Sequence, residues 1–282
     1  MKNDKFVRSM DFFAETIYKL SISDRDINIG VGGFTGEGKS CFLTKLFMNY
    51  SKYSSIRWGF NLMTWSRKEL MFWIDGEMKK GHRDFSKQLP EYSSILVDEL
   101  FMLFYKRNWY DEGQIDSIGT LNMCRDRHLL IGGNIPNFWD LDTAFNSRIR
   151  FYVYIPNRGV AWVFEQENNP FSNDVWNRSK NEKGFRKYKN PYLLPNFLCE
   201  IHFNDWTPGE KSEYYAIRNK KRLLALDVNK DEKIERYTDI KKQRDDLIRV
   251  LLNTNKDLKS KDVSDIIGIS PTAIRLIRDG LR

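Results

Sequence analysis

GFTGEGKS, residues 33 to 40, stands between two apolar runs, INIGV at 27–31 and CFL at 41–43. Glycine gives up more chain freedom on folding than any other residue, so Gly33, Gly36 and Gly38 mark backbone that turns tightly or lies close to something else. The spacing satisfies G-x-x-x-x-G-K-[ST], in which successive backbone N–H groups point inward around phosphates and the lysine neutralises the outer ones. Gly33, Thr35, Gly36, Glu37, Gly38, Lys39, Ser40 and Cys41 are therefore the expected contacts of a nucleotide, ATP. Ser40 opens the following helix, where its hydroxyl can ligate Mg²⁺ and the helix terminus adds partial positive charge. The flanks agree with this setting. DINIGVGG, with Ile27, Ile29 and Val31, reads as a strand that ends in the loop, and CFLTKLFMNYSKY as a helix turning Phe42, Leu43, Leu46 and Phe47 inward.

A partner motif follows in YSSILVDEL. Ile95, Leu96 and Val97 form a short continuous apolar run, as buried parallel strands do, and it ends in two carboxylates. Asp98 is expected to hold the magnesium through water, and Glu99 to orient and deprotonate the attacking water. Asn134 closes HLLIGGN and would sit between these groups if its strand neighbours theirs, where it would sense the γ-phosphate. Phosphoryl transfer also calls for an arginine, often from a neighbouring subunit. Arg148 is the first choice, with Arg150, Arg125 and Arg127 as the other candidates.

Elsewhere the pattern predicts an amphipathic helix over 5–20, a strand near 55–62, a helix over 113–127 and a hairpin over 150–166 turned by Asn157 to Gly159. Residues 166–206 show little period of either kind and read as irregular. A charged helix begins at Pro208 and runs into a polar link that ends near Thr238. The fold class is α/β, a P-loop core with a parallel sheet, followed by a small all-α domain. The boundaries read as 1–206 for the ATPase domain, 207–239 for a charged helical linker and 240–282 for the last domain.

That last domain reads as a helix-turn-helix. In SKDVSDIIGISPTAIRLIRDG, Val263 and Ile267 face inward, Gly268 makes the turn, and Ile269, Ile274 and Ile277 anchor a second helix. Ser270 suits its N-cap and Pro271 its first turn. Leu247, Val250 and Leu251 are expected to supply the third helix. Ser270, Thr272, Arg275 and Arg278 would then face the major groove of double-stranded DNA. A three-helix bundle that contacts protein has the same pattern and stays open beside it.

Charge and composition bound these readings. Of 282 residues, 46 are Lys or Arg and 38 Asp or Glu, for a net charge of +8 and a pI near 9.2, which suits a polyanionic partner. Residues 208–282 hold 18 basic and 13 acidic side chains, so +5 of that excess lies there. Cys41, Cys124 and Cys199 are scattered and odd in number, which argues against a disulfide framework and for a reducing compartment. Cys199 and His202 alone do not make a zinc site. The start lacks an apolar leader, and no uncharged apolar run approaches a membrane span, so a cytoplasmic protein is expected, in a host cytoplasm or with a virion.

The order of parts resembles the FtsK-HerA class of P-loop ATPases, and within it the Zot-like branch of viruses, plasmids and mobile elements. The resemblance covers residues 25–165: the GFTGEGKS loop, the strand ending Asp98-Glu99, the passage NMCRDRHLLIGGNIPNFWDLD and the arginine pair of FNSRIRFYVYI. It implies a RecA-like core and a homo-oligomeric ring, hexamer or pentamer, that moves or packages DNA. Lys39, Ser40, Asp98, Glu99 and one arginine match its motifs. Asn134 stands where the class commonly has glutamine, and the membrane anchor usual in Zot proteins is not seen, which speaks against a role at a membrane. The alternatives are an ATP-dependent regulatory switch, such as an initiator, helicase loader or transposition regulator, and a nucleotide-dependent scaffold.

Overall fold

The strand that feeds the glycine loop lies in the middle of an eight-stranded sheet. In the computed structural model, which describes residues 6–23, 25, 27–79, 82–108, 111–167, 174–254 and 259–279, the strands in chain order are β1 (Val7–Arg8), β2 (Ile27–Gly33), β3 (Met63–Thr64), β4 (Glu77–Lys79), β5 (His82–Asp84), β6 (Ser94–Val97), β7 (Leu130–Asn134), β8 (Ile149–Asn157), β9 (Val160–Glu165) and β10 (Phe197–His202). The large sheet has the order β1-β10-β9-β8-β2-β7-β6-β3, and β4 and β5 form a separate hairpin. From β8 to β3 every neighbouring pair is parallel. Parallel strands need both faces covered. Helix Met10–Ser21, lying against helix Lys39–Ser54, covers one face, with Phe13 edge-on to Phe151. On the other, Leu70, Ile95, Leu100, Leu121, Ile131 and Phe145 belong to one buried cluster, and each such side chain taken fully out of water contributes roughly 1.5–3 kcal/mol.

Several elements differ from the sequence pattern. No strand forms over 55–62: Phe60–Leu62 is a 3-10 turn, with Trp58 and Phe60 buried by ring packing, and the strand follows at Met63–Thr64. The helix expected over 113–127 ends at Met123, and a 3-10 turn, Arg125–Arg127, completes the stretch. Within 166–206 a helix, Arg178–Tyr188, and β10 appear. β10 is recruited by partners distant in sequence, β9 antiparallel and β1 parallel, with Cys199 and Ile201 turned into the core. The ends of these expectations at residues 5, 168–173 and 280–282 lie outside the described residues.

The chain divides into two compact units, Met1–Arg222 and Leu223–Arg282. A single helix, Pro208–Thr254, occupies the stretch read as linker, and residues 208–222 belong to the first unit. In the second unit, helices Ser260–Ile267 and Pro271–Arg278 are joined through Gly268, at φ 72°, and the Ser270 hydroxyl accepts from Ala273 N–H. Their core is Ile248, Leu252, Val263, Ile274 and Ile277, flanked by Ile267 and Ile269. The expectation for Leu247, Val250 and Leu251 is corrected by their positions, since all three are exposed. Apolar residues at 247, 248, 250, 251 and 252 span more than one helical face, and contact with the two short helices selects the face of Ile248 and Leu252.

Candidate nucleotide site

Loop geometry starts from its glycines. Gly33 has φ +133°, and a Cβ there would lie 2.6 Å from the Ile155 carbonyl oxygen, so no other residue fits. Gly38 has φ +92° and turns the chain so that helix Lys39–Ser54 begins against the loop, with Phe42 N–H bonded to the Gly38 carbonyl at 2.9 Å. Thr35 and Gly36 are exposed; Glu37, Gly38, Lys39 and Ser40 are half-buried. The Lys39 ammonium donates to the carbonyls of Gly33 at 2.9 Å and Phe34 at 3.0 Å, which holds its charge across the mouth of the loop. Burial lowers the Lys39 pKa, against the pull of Glu99, Asp98 and Glu37. The Cys41 thiol is buried, faces the Asn204 carbonyl at 3.6 Å, and is pushed up to about 12 by burial and then by Asp205. What Cys41 can offer a phosphate is its backbone N–H.

Parallel pairing brings three strand ends to the same edge as the loop. Val31 aligns with Asn134, and Val97 with Gly133, so β7 lies between β2 and β6. Asn134 therefore stands between Ser40 and Asp98. Its Nδ2 donates to Ser40 Oγ at 2.8 Å and also to Asp98 Oδ1, while its buried Oδ1 has no hydrogen-bond partner among the described residues. Ser40 Oγ donates to Asp98 Oδ1 at 3.2 Å, and the Asp98 side chain is buried. A hydroxyl, a carboxylate and an unpartnered amide oxygen are hard donors that fit Mg²⁺ and its water shell. Glu99, exposed and at φ 64°, has its pKa raised, first by loss of water around its carboxyl and then by Asp98.

The candidate arginines lie at the other edge. Arg148 precedes β8, whose first residue pairs with Asn28 early in β2, and Arg125 and Arg127 precede β7. Within one chain none is brought to the loop. The Arg148 guanidinium donates to Asn122 Oδ1 and, at 2.7 Å, to the Leu121 carbonyl; Arg150 pairs with Glu165, and Arg127 donates to the Leu89 carbonyl. Arg25, Arg125, Arg148 and Arg150 line one hollow of about 460 Å³ there.

Two groups at the loop escaped the sequence pattern. The Tyr214 hydroxyl reaches Ser40 Oγ at 3.2 Å and Asp98 Oδ2 at 3.1 Å, and burial, then the Asp98 charge, raises its pKa so that it remains a donor. Arg158, at the β8–β9 turn, donates to the Gly36 carbonyl at 3.3 Å and pairs with Asp205 at 2.7 Å. An arginine inside a predicted hairpin turn was a legible signal; nothing in sequence spacing ties Tyr214 to a loop so far upstream. In the second unit Thr272, Arg275 and Arg278 are exposed on one helix, and Ser270 spends its hydroxyl on the cap.

Among the described residues no helix is long and apolar enough to cross a membrane, and no cluster of three or more His, Cys, Asp or Glu could hold a metal ion. The chain matches no family model and no curated protein. Among solved structures it is similar to the genome packaging NTPase B204 of Sulfolobus turreted icosahedral virus 2 in complex with ATP-gammaS, at 11% identity over 50% of this chain and 92% of that one, with a TM-score of 0.35. It is similar to the N-terminal domain of zonular occludens toxin from Neisseria meningitidis at 15% identity, over 56% and 91%, with a TM-score of 0.32. For C. elegans PCH-2 the figures are 14% identity, 53% and 42%, and a TM-score of 0.31. Likenesses of this size leave the function to the geometry of the chain itself.

Proposed function

We propose that this protein is an ATP-hydrolysing motor that moves or packages double-stranded DNA, with a RecA-like core of the FtsK-HerA class. The observation that carries the ATPase reading is the meeting of Lys39, Ser40, Asp98, Glu99 and Asn134 at one edge of a parallel sheet. In this reading the loop N–H groups from Gly33 to Cys41 cradle the phosphates, Lys39 covers their outer oxygens, and Ser40 and Asp98 hold magnesium. Magnesium, when bound, neutralises phosphate charge. Glu99 takes the proton from the attacking water, and its raised pKa makes it a better base than an ordinary carboxylate. Asn134, with Nδ2 kept on Ser40 and Asp98, accepts from the attacking water through its Oδ1.

The arginine is supplied in trans. Four arginines around one hollow at the edge opposite the loop support this, because a ring can present that edge of one subunit to the loop of the next. Arg148 is the finger, and Thr272, Arg275 and Arg278 engage DNA, with Ser270 capping their helix. The test pairs Lys39→Ala with a turnover assay. Loss of ATP binding in a variant that keeps its circular dichroism is expected, and unchanged affinity removes the P-loop assignment. DNA-stimulated, continuous turnover by a particle of ring mass is expected of the wild type. Slow turnover with site-specific binding would replace the motor by the regulatory switch.

A further inference from the structure

Ser40 and Asp98 have a partner that the motor reading does not use. A hydroxyl has one proton and two lone pairs. At Ser40 all three are engaged: the proton goes to Asp98 Oδ1 at 3.2 Å, and the oxygen accepts from Asn134 Nδ2 at 2.8 Å and from the Tyr214 hydroxyl at 3.2 Å. The single phenol proton is shared between Ser40 Oγ and Asp98 Oδ2, the latter at 3.1 Å, so one hydroxyl spans both side chains assigned to the metal. An Mg²⁺ ion on Ser40 needs one of those lone pairs. Asn134 is poorly able to yield it, because it ends β7, which is paired on both sides. Tyr214 can. It belongs to a helix outside the sheet, and withdrawing its hydroxyl takes a swing of the side chain against Trp206, whose ring centroid is 4.4 Å away, and against Tyr215 and Phe60 at 5.2 and 6.2 Å.

We propose that Tyr214 caps the magnesium position: metal–nucleotide binding and the Tyr214–Ser40 hydrogen bond exclude each other, so segment 208–222 reports the nucleotide state. This rests on the loop being an ATP site. The segment is held near its ends by Lys45–Glu210 at 2.7 Å and Lys221–Glu69 at 2.9 Å, which makes release of Tyr214 a side-chain event felt first by Trp206. Arg218 and Arg222 follow Tyr214 by one and two helical turns and act electrostatically on Glu99, so this helix face runs along the site.

The experiment compares the full-length wild type with Tyr214→Phe, which keeps the ring and removes only the hydroxyl, by titrating ATPγS in Mg²⁺ and, separately, in EDTA. Mg²⁺–ATPγS is expected to bind Tyr214→Phe about 3- to 10-fold more tightly, the equivalent of one hydrogen bond no longer given up, with equal affinities in EDTA. Indole emission of the wild type should change on adding Mg²⁺–ATPγS but not ATPγS alone, and the change should vanish in Trp206→Phe. Equal or weaker Mg²⁺–ATPγS binding by Tyr214→Phe overturns the cap and leaves the ATP site standing. Absence of ATPγS binding by the wild type in both conditions overturns the ATP reading and the cap with it.

Discussion

Glu99 combines two costs at one residue. Its φ of 64° lies in the left-handed region, which costs an L-residue other than glycine about 1–2 kcal/mol. Its carboxyl also has a raised pKa, from reduced hydration and from Asp98. A group whose folded pKa is raised lends its full stability below the unfolded value and loses it as pH climbs through the folded one. At neutral pH the ionised Glu99 is therefore a burden, and Glu99→Gln, which imitates the protonated form, removes it. We expect Glu99→Gln to melt at or above the wild-type temperature at neutral pH, with the gap closing as pH falls below the ordinary glutamate range. ATP binding should persist while turnover falls roughly 10²-fold or more. A lower melting temperature at neutral pH would show that the charge is stabilised rather than strained.

At the scale of elements, the loop and its flanking strand and helix are local in sequence, and they were legible for that reason. The turn at Gly268 and the cap at Ser270 were too, because a positive φ and a β-region cap restrict which residues can serve. Amphipathic helices with surplus apolar residues were not. The choice between Leu247 and Ile248 depends on what packs opposite, and the cluster of Val263, Ile274 and Ile277 decides it. Ile248→Ala is expected to destabilise the second unit by about 2–4 kcal/mol, whereas Leu247→Ala should stay within about 0.5 kcal/mol. Hydrogen exchange of the amides of 260–279 in the full chain reads the difference. Comparable loss of protection in both variants would mean that the helix uses both faces.

At the scale of the whole molecule, the net charge of +8 suits a polyanion, and the exposed Arg275 and Arg278 are the expected contacts. Neither belongs to the core of its unit, so Arg275→Ala with Arg278→Ala should leave melting unchanged. Duplex affinity should drop at physiological salt, and the slope of log K against log salt should flatten by roughly 0.9 for each phosphate no longer neutralised. Unchanged affinity and slope on both random and specific duplexes would make the module a protein-contact bundle.

Features set by neighbours along the chain were readable from residue order: the glycine loop at 33–40, the strand running into Asp98 and Glu99, the β8–β9 hairpin and the capped helix Pro271–Arg278. Each rests on backbone conformation or on short-range periodicity, and those act over a few residues. Tertiary structure alone decided the rest. It set β7 between β2 and β6, so that Asn134 meets Ser40 and Asp98; it drew β10 into the sheet beside β9 and β1; and it brought Tyr214 to a serine far upstream. Those outcomes follow from strand order and from burial shared between distant segments, and no spacing within a single segment encodes either.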